Sequence, residues 1–201
     1  HFGTSVAVGD FDGNGIEDLF VGAADARIGG NQSGGIYAFR GGATLVSGSA
    51  TSASAIFEGE VSGDRLGQSL ALGDADGDGR VELLAGAPQF DLPAASAGRA
   101  YLLKGGAFLG GPIAVRALTI LTAENSSGDG FGTGLSLTDL DGDGRCDLLV
   151  GAPFNNGGAV DSGRAYVFFG AALQATRSAV ADDVTYTGAN PAQVLGRDIG
   201  A

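Results

Sequence analysis

The chain has 201 residues, 44% of them apolar, and a formal net charge of −12. That apolar share excludes a chain disordered by composition, and the acidity argues against nucleic acid or an anionic membrane as partner. No apolar run reaches the ~18 residues of a membrane-crossing helix, so no membrane insertion is expected.

Short apolar runs come in three sets of four. The first set is 5–9, 18–23, 35–40 and 53–58. The second is 68–73, 82–87, 99–104 and 117–123. The third is 133–138, 147–152, 164–169 and 183–187. Val6 and Val8, Leu70 and Leu72, and Leu135 and Leu137 alternate with small or polar neighbours, the pattern of a half-buried strand. No segment sustains a helical period, and the 38 glycines follow no collagen-type spacing, so they mark turns and bulges.

The sets share fixed offsets. Leading aspartates Asp10, Asp74 and Asp139 are 64 and 65 residues apart, and Phe2-Gly3, Leu66-Gly67 and Phe131-Gly132 each precede one by eight. Leu195-Gly196 opens a fourth copy. Tyr37, Tyr101 and Tyr166 follow the leading aspartate by 27, and Gly41, Gly105 and Gly170 by 31. The tyrosines read as aromatics packed between sheets, with a ligand-contacting ring as the alternative.

The expected architecture is all-β, with β-propeller blades built as three four-stranded antiparallel sheets plus the start of a fourth repeat. The repeats are placed at 1–64, 65–129 and 130–194, with 195–201 beginning the next. Parallel β-helix repeats are far shorter. Three blades do not close a ring of about 4–8. The chain therefore reads as a piece of a longer array, or as one whose overlapping ends let copies associate into a closed homo-oligomeric ring. With no leader peptide visible, it reads as a mature or excised segment.

Of the 23 acids, 11 cluster in the three repeated loops. Counting each leading aspartate as position 1, positions 1, 3, 5, 7 and 9 are Asp10, Asp12, Asn14, Ile16, Asp18; Asp74, Asp76, Asp78, Arg80, Glu82; and Asp139, Asp141, Asp143, Arg145, Asp147. Alternate residues of a tightly curved loop aim their oxygens at one centre, and the interleaved glycines permit the curve. Ile16, Arg80 and Arg145 share only a backbone carbonyl as donor. Five oxygens per loop, supplemented by bidentate binding or water, suit the roughly 6–8 oxygen ligands of Ca²⁺, with about three ions in all. The absence of His and Cys donors disfavours zinc and copper. An EF-hand needs Glu at position 12, where this chain has Val21, Ala85 and Val150.

Catalysis is not expected. His1, at the chain end, is the only histidine, and Gly67-Gln68-Ser69-Leu70-Ala71 lacks the second glycine of a nucleophile elbow. Cys146, the only cysteine, forms no internal disulfide and reads as a small packed thiol.

At Phe/Leu-Gly, the Asp-x-Asp-Gly-Asx-Gly-x-x-Asp/Glu-Leu loop, and Gly-Ala-Pro at 86–88 and 151–153, the chain resembles the FG-GAP repeat of integrin α subunits. It departs in Gly22-Ala23-Ala24, which lacks the proline, and in its three full repeats against seven in integrin heads. Its low Cys and Lys content and compact loops point to a bacterial source. The resemblance implies a non-catalytic propeller for adhesion, located outside the cell, at its surface or in a periplasm. It implies calcium loops on one face and a protein or glycan ligand on the opposite loops, 25–33, 89–97 and 154–162. Because such repeats also accompany phospholipase D-like hydrolases, a scaffold attached to a secreted enzyme is the alternative.

Overall fold

The computed structural model describes residues 1–42, 48–124, 127–173 and 175–199. All twelve expected runs form strands, most of them a residue or two shorter than the apolar run. The first sheet holds β1 (Val6–Gly9), β2 (Asp18–Ala23), β3 (Gly35–Phe39) and β4 (Ala55–Glu58) as an antiparallel meander. In the second repeat come β5 (Leu70–Gly73), β6 (Glu82–Ala87), β7 (Arg99–Leu103), β8 (Gly111–Pro112), the short helix α1 (Ile113–Arg116) and β9 (Ala117–Thr122). The third holds β10 (Leu135–Thr138), β11 (Asp147–Ala152), β12 (Arg164–Phe168), β13 (Thr176–Ser178) and β14 (Val184–Thr187).

Two of the three sheets are five-stranded and mixed, not four-stranded and antiparallel. β8 leaves its own repeat and pairs parallel with β4 of the preceding sheet (Phe57 opposite Gly111). β13 does the same to β9 (Ile120 opposite Thr176). Among the described residues the third sheet, ordered β10-β11-β12-β14, has four strands. A two- or three-residue strand carries no alternation, so these additions leave no periodic trace in sequence.

The sheets stack face to face, and the alternation decides which residues meet. Phe20, Ile36, Ala38 and Phe57 on one face of the first sheet join Leu83, Ala85, Tyr101 and Leu103 of the second in one buried cluster. The other face of the second sheet brings Leu84, Ala100, Leu102 and Leu121 against Leu137, Leu148, Val150, Tyr166 and Phe168 of the third. β6, covered on both sides, is buried along its whole length. The outermost faces are uncovered: Val6 and Val8 are 59% and 52% exposed, and Tyr186 is 62% exposed.

The dipeptide and Gly-Ala-Pro motifs form the junction between repeats. Leu66 and Phe131, both fully buried, bridge to Gly34 and Gly98 at the head of the preceding repeat's third strand. The following glycines donate back, Gly67 N–H to the Gly86 carbonyl and Gly132 N–H to the Gly151 carbonyl. A Cβ on Gly86 would stand 2.1 Å from the Gly132 carbonyl oxygen, so this approach of two backbones admits only glycine. Gly22 and Gly151 meet the same obstruction.

A polar clamp crosses each sheet interface. Glu60 accepts from Tyr101 Oη (2.5 Å) and Arg99 Nη1 (2.8 Å). Glu124 accepts from Tyr166 Oη (3.2 Å) and Arg164 Nη1 (2.6 Å). Tyr101 and Tyr166 are thus packed aromatics with a tethered hydroxyl, and Tyr37, for which the described residues show no such tether, meets Phe2 edge-on.

Replacing Glu60 with Ala should strand both donors and lower unfolding stability by about 1–3 kcal/mol in urea melts. Burial pushes the Asp64 carboxyl from its ordinary 3.8 up to about 6. The folded state therefore favours the proton. That stability is full below about pH 4 and is lost as pH rises through about 6. Asp64→Asn should stabilise the protein at pH 7 and change little at pH 4, measured by urea melts with chelator present.

Candidate metal centres

The three acidic loops join the first two strands of each sheet, β1 to β2, β5 to β6 and β10 to β11. Their shape is written in side-chain-to-backbone hydrogen bonds. Asp10 accepts from the amides of Asn14 (3.0 Å) and Gly15 (2.8 Å). Asp74 accepts from Gly77 and Gly79 at 2.7 and 2.9 Å, and Asp139 from Gly142 and Gly144 at 2.7 and 3.0 Å. Positions 3 and 5 each accept from the amide two residues on, through Asp12, Asp76 and Asp141, then Asn14, Asp78 and Asp143. Short polar side chains that bond their own backbone favour such turns over regular structure.

Position 9 works differently. Asp18, Glu82 and Asp147 are fully buried. One oxygen of each accepts from the start of the loop: Asp18 from Phe11 and Asp12 N–H, Glu82 from Ala75 and Asp76 N–H, Asp147 from Leu140 N–H. The other accepts from Gly41 (2.8 Å), Gly105 (3.2 Å) or Gly170 (3.0 Å), just past the third strand. This explains the recurrent glycine. A Cβ there would fall 1.9 Å from the Glu17 carbonyl oxygen at Gly41, and 2.7 Å from the Val81 and Cys146 carbonyl oxygens at Gly105 and Gly170. Burial pushes the Glu82 carboxyl upward, and its backbone donors oppose that shift.

Carboxylate oxygens converge within 4.8 Å of one another in three triplets: Asp10, Asp12, Asp18; Asp74, Asp76, Asp78; and Asp139, Asp141, Asp147. Asn14 adds an amide oxygen to the first loop. Glu82 and Asp143 belong to the second and third loops but stand outside those triplets. The donors are hard oxygens throughout, which fits a hard cation such as Ca²⁺ and not a soft metal. The position-7 side chains point elsewhere: a Cβ on Gly13 would lie 2.6 Å from Arg80 Nε, and one on Gly77 3.3 Å from Arg145 Nε. Each arginine thus leans over the loop of the preceding repeat. Cys146 is half-buried at the foot of the third loop, its thiol pushed up by burial. Its amide donates to the Asp74 carbonyl (2.7 Å), which ties adjacent loops together.

Sequence reading missed the clamps Glu60 and Glu124. Both lie 50 residues after a leading aspartate, and Arg99 and Arg164 lie 25 after one. That matched pairing was the available signal.

The FG-GAP repeat family matches residues 2–39, 66–103 and 131–168, more than half of the chain. The chain belongs to the FG-GAP repeat family. Integrin alpha-PS2 of Drosophila melanogaster is 35% identical over 184 residues, 86% of this chain and 12% of its own length. Integrin alpha-IIb of Homo sapiens is 34% identical over 199 residues, 94% of this chain and 17% of its own. A phosphatidylinositol-glycan-specific phospholipase D of Rattus norvegicus is 35% identical over 112 residues, 53% of this chain and 13% of its own. The chain therefore spans less than a fifth of each of these relatives. All three are animal proteins and lend no support to a bacterial origin.

Among the described residues no helix is long and apolar enough to cross a membrane. The connections 25–33, 89–97 and 154–162 leave the strands at the end opposite the acidic loops.

In excess chelator, Asp147→Asn should destabilise the fold by about 1–3 kcal/mol, because a buried acceptor is weakened. Asp141→Asn under the same conditions should be neutral or stabilising, because it relieves repulsion among exposed carboxylates. Paired thermal melts separate the two roles.

Proposed function

We propose that this chain is a non-catalytic, calcium-dependent propeller module for extracellular adhesion or protein recognition. The convergence of carboxylates in the same loop of all three repeats carries the reading. Positions 1, 3, 5 and 9 would hold one ion per loop, with the backbone carbonyls of Ile16, Arg80 and Arg145 as further donors. The ion supplies charge neutralisation and clamps the first hairpin of each sheet; it has no part in a reaction. The repeats are assigned to 1–64, 65–129 and 130–194, with 195–201 opening a fourth.

Family membership supports a protein ligand, and the connections 25–33, 89–97 and 154–162 are the surface we assign to a protein or glycan. They differ in sequence from repeat to repeat, as a recognition surface does. The uncovered apolar faces of the first and third sheets favour packing against further sheets, and copies of the chain closing a ring are one way to supply them. The match to the rat phospholipase D favours one second reading, a structural scaffold accompanying a secreted hydrolase.

Calcium at 100 times its dissociation constant should add about 2.7 kcal/mol per site to the unfolding free energy, and chelator should remove it. A melting temperature indifferent to both would overturn the calcium clamp. Binding to matrix proteins or a glycan array with calcium present separates recognition from inert scaffolding.

A further inference from the structure

The residue 30 places after each leading aspartate follows the third strand directly: Arg40 after β3, Lys104 after β7 and Phe169 after β12. The next residue is the glycine whose amide is held by the buried position-9 acid. Position 30 is thereby fixed beside its own acidic loop.

What it presents there differs among the repeats. Arg40 Nε pairs with Asp12 Oδ2 at 2.9 Å. Lys104 Nζ pairs with Asp76 and also with Asp78, at 3.1 Å. Phe169 brings no charge, and its amide donates to Asp183 (2.6 Å) instead. Among the described residues no basic side chain pairs with Asp139, Asp141 or Asp143.

The second and third loops carry the same number of acids, four each. They differ in their cations: Lys104 sits on two carboxylates of the second loop, while Arg145 leans over its Gly77 and, among the described residues, pairs with no carboxylate there. A divalent ion entering the second loop must displace the Lys104 ammonium from two of its own ligands and then sit beside it. The first loop is poorer still, with three carboxylates, an asparagine and a guanidinium on one of them.

We propose that residue 30 of each repeat sets the divalent-cation affinity of its loop, with Arg40 and Lys104 as built-in competitors. Loop 139–147, which has none, is then the tightest and first-filled site. This rests on the calcium reading of the loops. The Coulomb penalty of one positive charge about 5 Å from a dication, in a largely aqueous surrounding, corresponds to about tenfold in affinity. Added salt screens that penalty.

The amides of Gly15, Gly79 and Gly144 each donate to the leading aspartate of one loop and report on that loop alone. In a calcium titration followed by ¹⁵N–¹H correlation spectra, Gly144 should respond first. Gly79 should respond at about tenfold higher calcium, and Gly15 last. Lys104→Gln, a change at a half-exposed side chain, should bring Gly79 into step with Gly144. Phe169→Lys should delay Gly144 about tenfold, and raised salt should narrow the wild-type gap. Gly79 and Gly144 titrating together in the wild type, or a gap that survives Lys104→Gln, would overturn the assignment. Three resonances that ignore calcium altogether would instead overturn the underlying calcium reading.

Discussion

The buried carboxylate at position 9 is the constraint on which the rest of each repeat depends. A charge removed from water must be satisfied by the protein. Asp18, Glu82 and Asp147 meet that demand with backbone amides from two separate places, the head of the acidic loop and the turn after the third strand. One side chain therefore fixes the loop's curvature, the hairpin's register and the return of the third strand. The half-buried and exposed oxygen-bearing side chains at positions 1, 3 and 5 are arranged on that frame by bonds to their own backbone. The frame is thus built by the polypeptide, and the outer acids are left with oxygen capacity for a cation.

Stacking carries the next level of organisation. A single sheet here cannot hide both faces, and the second does so only because it lies between the other two. Contact between neighbours is apolar on the sheet faces, backbone-to-backbone at the glycine junctions, and charged at Glu60 and Glu124. The first repeat has Gly35 where the others have an arginine and lacks the tether on its tyrosine. Its leading face is one of the two left open.

The strands were legible because alternation and glycine boundaries leave a direct trace. All twelve could be placed, and the acidic loops stood out by their matched offsets. The recurrent glycine at 41, 105 and 170 was visible, but its cause was not, since the cause is the carbonyl oxygen of Glu17, Val81 or Cys146, the last loop residue before the second strand and far from the glycine in the chain. The fifth strands were invisible for a different reason. β8 and β13 are too short to alternate and owe their conformation to the edge they join. The ion pairs of Arg40 and Lys104 escaped because their partners lie 28 residues upstream, and only the folded hairpin brings the two together.

Those borrowed strands have a consequence for how the chain is made. Each earlier sheet is finished by a few residues that emerge from the ribosome a repeat later, like roof tiles laid so that each course holds down the one before. Neither of the first two sheets is finished by its own repeat, and excising the second repeat would leave the first sheet with a bare rim and the third repeat's hook with nothing to catch. Growth or loss in such an array is therefore tolerated only where the overlap between successive courses is kept whole.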